Sequence, residues 1–138
     1  MKIEYMYAAL HEASKAERKN NVPVGAVIIK DNKIISKAHN INYKSKNIID
    51  HAEILCIKKA FRKTKDWRLN NCEMYVTLEP CNMCKEVIKA SRINKVYYLS
   101  ENTSSVCNSQ TEFIKATAFD CLEKDNKEKI KSFFKKLR

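Results

Sequence analysis

His51, Cys81 and Cys84 offer one imidazole nitrogen and two thiolates, and Glu53 sets a carboxylate two residues beyond the histidine. That donor set suits zinc. Structural zinc sites usually close with four protein ligands, whereas catalytic sites use three and leave the fourth position to water or substrate. The pattern here supplies three. Cys81 and Cys84 are three residues apart, so a helix beginning near Pro80 would turn both sulfurs toward a single ion. Proline suits a first helical turn, where its missing N–H has no partner to lose, and the free amides of that turn favour ionised thiols. Glu53 would lie near the metal without ligating it, as an acid and base must.

The alternative is a zinc clip that only holds the fold. It needs a fourth ligand from Cys56, Cys72, Cys107, Cys121, His11 or His39. Paired Cys-x-x-Cys knuckles are the usual sign of structural zinc, and this chain has a single one. The other four cysteines are solitary, and Cys56 and Cys72 are expected in the core as small apolar side chains. Glu4 and His11 interrupt the N-terminal segment as an amphipathic pattern does and a secretory leader does not, so a cytoplasmic location with reduced thiols is expected.

The elements that must carry these residues follow from periodicity. Ile3, Met6, Tyr7, Leu10 and Ala13 recur at helical spacing and predict a helix from about Lys2 to Lys19 whose apolar face meets a sheet. Val24 to Lys30 reads as a buried strand, Asp31-Asn32 as a turn, and Lys33 to about Ala38 as the returning strand. Gly25 lies in the first of these; a close backbone approach beside a ligand and a plain packing need both account for it. Residues 39 to 50 are polar and turn-rich. A helix is predicted from His51 to about Lys63, a strand over Met74 to Leu78, a helix from the Pro80-Cys81 segment to about Ala90, and a strand over Lys95 to Leu99. A hairpin followed by strand, helix and strand argues α/β architecture, a mixed sheet covered by helices, with both ligand segments at helix starts beside the strand ends.

With 138 residues and 44% hydrophobic content, the chain can enclose one core, and a single domain over residues 1–138 is expected. No apolar run approaches the roughly 20 residues that span a bilayer, so no membrane partner is expected. The formal charge of +11 suits an acidic partner such as nucleic acid, although 22 lysines against five arginines, with a single glycine, also fit a biased composition. Residues 124–138 carry seven basic side chains around Phe133 and Phe134. A basic amphipathic helix is expected there, packing Ile130, Phe133, Phe134 and Leu137 on the domain.

His51-x-Glu53 with Pro80-Cys81-x-x-Cys84 resembles the known signature of zinc-dependent nucleobase deaminases. The flanking segments narrow the likeness. Val22-Pro23-Val24-Gly25-Ala26, Asn40, Asp66-Trp67-Arg68-Leu69, Tyr75-Val76-Thr77-Leu78-Glu79-Pro80-Cys81 and the ending Phe133-Phe134-Lys135-Lys136-Leu137-Arg138 resemble TadA-type tRNA adenosine deaminases of the cytidine deaminase-like superfamily. The resemblance implies a three-layer α/β/α cytidine deaminase-like fold with a mixed five-stranded sheet, a homodimer, and a tRNA anticodon stem-loop as partner. The implied reaction is hydrolytic deamination of the wobble adenosine to inosine. Zn²⁺ on His51, Cys81 and Cys84 would activate water, Glu53 would move the protons, and Asn40 would hydrogen-bond the purine; a loop-capping asparagine is the other reading of Asn40.

Trp67 reads as a core residue more readily than as a stacking platform, and Glu79 either orients the ligand segment or forms an ion pair. Three departures from the family pattern stand out. Asp50 precedes the zinc histidine and either tunes it or caps the helix. Lys85 and Glu86 replace small residues on the helix that relatives use for dimer contact, and Ser100 to Gln110 lacks the glycines usual in that loop. Rival functions keep parts of the pattern: deamination of free guanine or a cytosine nucleotide, or a catalytically idle zinc-stabilised nucleic-acid-binding module.

Overall fold

A computed structural model describes residues 1–102, 111–117 and 120–136. The chain runs α1 (Ile3–Arg18), β1 (Gly25–Lys30), β2 (Lys33–His39), the short α2 (Asn42–Ser45), α3 (Ala52–Thr64), β3 (Cys72–Leu78), α4 (Asn82–Ala90), β4 (Lys95–Ser100), β5 (Glu112–Lys115) and α5 (Asp120–Lys136). Five strands form one sheet in the order β2-β1-β3-β4-β5. The β1 strand runs antiparallel to β2 and β3, whereas β3, β4 and β5 are parallel, so the expected mixed sheet is present. The β5 strand and α2 had no assignment from periodicity. Ser100–Gln110 falls almost wholly on residues 103–110, and these, with Leu137 and Arg138, lie outside the described residues.

Side-chain alternation along the strands explains the three layers. Ala26, Ile28, Met74, Val76 and Val96 face one side, where Ala52, Cys56, Ile57 and Ala60 of α3 and Ile88 of α4 bury against them. Val27, Ile29, Tyr75, Tyr97 and Leu99 face the other, against Met6 and Ala9 of α1 and, at the margin, Leu122 of α5. Each fully buried aliphatic side chain contributes about 1.5–3 kcal/mol relative to exposure, and these two faces hold most of the buried set. As expected, Cys56 and Cys72 are core residues. Burial pushes the Cys56 thiol up to about 12 even though Ser36 lies 3.1 Å away, so it is an inert apolar filler.

Gly25 is explained by packing. A Cβ there would collide with the Ala9 carbonyl oxygen and stand 2.5 Å from Ala13 N and 2.8 Å from Glu12 Cβ, so α1 crosses β1 where only a glycine admits it. Because two of these atoms are helix backbone, α1 cannot give way by a rotamer change. Gly25→Ala is therefore expected to destabilise the protein by about 2 kcal/mol, read as a lower urea midpoint with an unchanged slope. An unshifted midpoint would show that α1 has room to retreat.

Trp67 is not in the core. It is 55% exposed, with the guanidinium carbons of Arg68 and Arg92 5.7 and 6.0 Å from its ring centroid. The apolar plug of that turn is Leu69, 1% exposed, whose amide bonds the Ser91 carbonyl at 2.7 Å. The indole instead lies under two cations on the surface.

Candidate metal centre and active site

Both ligand segments sit at helix starts, as expected, but as caps. His51 is the N-cap of α3 and Cys81 the N-cap of α4, so the helices begin at Ala52 and Asn82. Pro80 therefore precedes the cap and lies outside the first turn. It directs the chain out of β3, and Cys84 falls on the third helical residue, where it turns back toward the cap. The positive ends of two helices meet at the sulfurs, a setting that favours a thiolate there.

His51 Nδ1 lies 3.8 Å from Cys81 Sγ and 3.4 Å from Cys84 Sγ, and the three donor atoms lie within 4.8 Å of one another. Ligands at tetrahedral zinc, with Zn–S of about 2.3 Å and Zn–N of about 2.0 Å, stand roughly 3.5–3.8 Å apart. The donor set and its spacing fit a zinc ion. Among the described residues no fourth His, Cys, Asp or Glu joins this group, so Cys56, Cys72, Cys121, His11 and His39 do not close it. Cys107 lies outside the described residues. Hydrogen bonding from Cys84, then from His51, draws the Cys81 thiol down to about 4, whereas the same pairing together with burial pushes Cys84 up. His51 is raised, chiefly by its bond to Cys81.

Glu53 stands in the first turn of α3, 4% exposed, and its Oε1 has no hydrogen-bond partner. Burial pushes its carboxyl up. A buried carboxylate oxygen without a protein partner requires a proton, a water or a substrate. It faces a cavity of about 210 Å³ whose lining includes Asn40, His51, Cys81, Ile130 and Phe134.

Asn40 acts as a capping side chain and also stands in the cavity wall. Its Oδ1 accepts the Ala52 amide N–H at 2.7 Å, satisfying the first free donor of α3, while the residue lines the cavity. The amide is thereby oriented, and its Nδ2 has no partner among the described residues. Asp50 does not cap α3, since His51 holds that position; its carboxylate instead adds to the raised pKa of His51. Glu79 forms the ion pair: its Oε2 takes Lys85 Nζ at 2.9 Å and its Oε1 takes the Asn102 amide at 3.1 Å. The Lys85 departure is thus turned inward, 3% exposed, rather than presented on the outer face of α4.

Two features had no reading from periodicity. A second concavity of about 830 Å³ adjoins the first through Asn42 and is lined by Tyr43, Lys44, Lys46, Phe133 and Lys136. It carries three cations, two aromatic rings and no carboxylate. Asn126 of α5 is buried, 2% exposed, and bonds the ends of β3 and β4. Its signal in the sequence was a polar residue on the stripe shared by Ile130 and Phe133.

No helix among the described residues is long and apolar enough to cross a membrane. A tRNA-specific adenosine deaminase of Aquifex aeolicus (strain VF5) is 49% identical over 94 residues, 68% of this chain and 62% of that protein. The chain thus spans about 62% of the length of this curated relative. A solved structure from work on A-to-I editing by tRNA:A34 deaminases at the wobble position is similar, with a TM-score of 0.76 at 30% identity, covering 83% of this chain and 98% of that one. The guanine deaminase of Bacillus subtilis is similar too, with a TM-score of 0.69 at 33% identity over 75% of this chain and 68% of the other. The cytidine and deoxycytidylate deaminase zinc-binding region matches residues 1–100, the segment that holds His51, Glu53, Cys81 and Cys84, and with it the three-layer fold assigns the chain to that family.

Proposed function

We propose that the chain, acting as one deaminase domain over residues 1–138, hydrolyses the wobble adenosine of a tRNA anticodon to inosine. The observation that carries this reading over deamination of a free base is the second concavity. Three lysines and two aromatic rings beside a cavity sized for one base suit phosphates and bases flanking that target, which a free base lacks. The relatives named as tRNA-specific adenosine deaminases support the same substrate.

His51, Cys81 and Cys84 would hold zinc, which when bound supplies the Lewis acidity that makes water nucleophilic near neutral pH. Glu53 accepts the proton of the attacking water as oxygen adds to adenine C6, delivers a proton to ring N1, and assists protonation of the departing amino group, so that water is consumed and ammonia released. Burial of its carboxyl raises the pKa and makes both receipt and return of the proton feasible. The oriented Asn40 amide donates to the purine. Cytoplasmic location and homodimerisation belong to the same proposal; sedimentation equilibrium that finds only monomer would remove the dimer.

Asn40→Ala removes the α3 donor's acceptor as well as the purine contact. It is expected to cost about 1 kcal/mol of stability and, separately, to lower kcat/KM at least tenfold at a temperature where the variant is folded. A stability loss with kcat/KM intact would leave Asn40 as a cap alone.

The reading is tested by inosine formation on a zinc-loaded protein with an anticodon stem-loop bearing wobble adenosine, with Glu53→Ala as control. Glutamate-dependent inosine is the expected result. Zinc-loaded protein that yields none, but turns over guanine or a cytosine nucleotide, overturns it. Salt-sensitive stem-loop binding without any turnover would mark an idle nucleic-acid-binding module.

A further inference from the structure

The far wall of the base cavity comes from α5, through Ile130 and Phe134, yet α5 has little to hold it. Of its 17 residues only Asn126 and Phe133 are buried. Phe133 meets Tyr43 edge to face at 5.7 Å, a partner that is itself half exposed. Elsewhere the helix is tied by Leu122 at the margin of the second core face and by ion pairs such as Lys115 to Glu123, which contribute little. Asn126, Ile130, Phe133 and Phe134 share one stripe at helical spacing, so an apolar residue would be the ordinary choice at position 126.

What stands there is an amide whose Nδ2 donates to the Thr77 carbonyl and to Ser100 Oγ, both at 2.8 Å. Thr77 is the penultimate residue of β3 and Ser100 ends β4, each wholly buried, and Thr77 Oγ1 also takes the Gly25 amide at 3.1 Å. One side chain thereby bonds α5 to the strand ends from which the ligand segment and the cavity floor depart. Apolar contacts are non-directional and tolerate a helix that slides or rolls. Two short hydrogen bonds from one nitrogen fix both rotation and translation. Ile130 and Phe134 follow one and two turns later, about 6 and 12 Å along the axis, so an error at Asn126 is carried directly into the wall.

We propose that Asn126 is a positioning residue for substrate recognition: its bonds to Thr77 and Ser100 set the register of α5 and so the shape of the cavity wall made by Ile130 and Phe134. The inference rests on the deaminase reading above for its kinetic arm only.

The experiment compares wild type with Asn126→Leu, which restores the apolar stripe, and Ser100→Ala, a milder variant that removes one acceptor. Native-state trypsin cleavage at the α5 lysines, Lys124, Lys127, Lys129 and Lys131, is expected to accelerate about tenfold in Asn126→Leu and less in Ser100→Ala, with zinc content unchanged. On the stem-loop substrate KM should rise about tenfold while kcat stays within about twofold, because the wall binds substrate and does not move protons. Equal cleavage rates in all three proteins overturn the proposal, as does faster cleavage with KM unchanged. Should Asn126→Leu not fold, Ser100→Ala alone decides by the same two readouts. Absence of inosine in the wild type would count against the function, leaving the cleavage rates to judge the fastening of α5.

Discussion

Glu53→Gln is expected to fold, to retain one zinc per chain and to lose turnover by about 10²–10⁴-fold, the range for removal of a positioned general acid and base. Glutamine keeps the shape and one acceptor oxygen but cannot receive the water proton or return it. The structure adds a second expectation. Glu53 is buried with Oε1 unpartnered, and its carboxyl is raised by desolvation, so the carboxylate is costly to the folded state. A neutral amide removes that cost, and apo Glu53→Gln should be at least as resistant to urea as the apo wild type. Activity would then fall while stability holds or rises, the trade expected of a group kept for chemistry. Turnover within tenfold of wild type would remove Glu53 from the proton path, and a coincident loss of zinc would show that it acts through the metal ligands.

The reason His51, Glu53, Cys81 and Cys84 were legible in the sequence is that chemistry constrains them twice, by residue type and by spacing. The same holds for α1, β1 and β3, whose apolar periods match the layers they fill. What escaped detection had no such double constraint. β5 is four residues long with an exposed-to-intermediate pattern, so alternation had little to show, and its place beside β4 is set by the sheet edge it covers. A sole tryptophan before a strand reads as core, but two arginines, one of them 25 residues distant in the chain, give the Trp67 ring a surface environment that no local window reveals. Cys81 as a cap rather than a helical residue shifts α4 by one or two positions, the usual uncertainty of a helix boundary. Asn126 escapes notice because a polar residue inside a basic helix reads as solvated until the buried strand ends beneath it are known.

Lys85, a departure from the family pattern, is half of a buried ion pair. Its ammonium is 2.9 Å from Glu79 Oε2, with side chains 4% and 12% exposed, and lies 5.0 Å from the Phe113 ring centroid on β5. Glu79 and Asn102 both line the cavity beside Cys81, so the carboxylate end of the pair sits in its wall. Removing one member of a buried pair costs about 3–5 kcal/mol because the other charge stays desolvated, whereas replacing both by uncharged groups of similar volume costs far less. Lys85→Met is therefore expected to lower the unfolding free energy of the zinc-loaded protein by about 3 kcal/mol, and Lys85→Met with Glu79→Gln to recover most of that loss. Urea denaturation of the single variants and the double variant measures it as a coupling energy. Should Lys85→Met cost under about 1 kcal/mol, the ammonium would be behaving as a solvated surface charge. The recovery also separates stability from recognition: the double variant rebuilds the wall without its charges, so a rise in KM that persists after stability returns assigns the pair to the shape of the cavity.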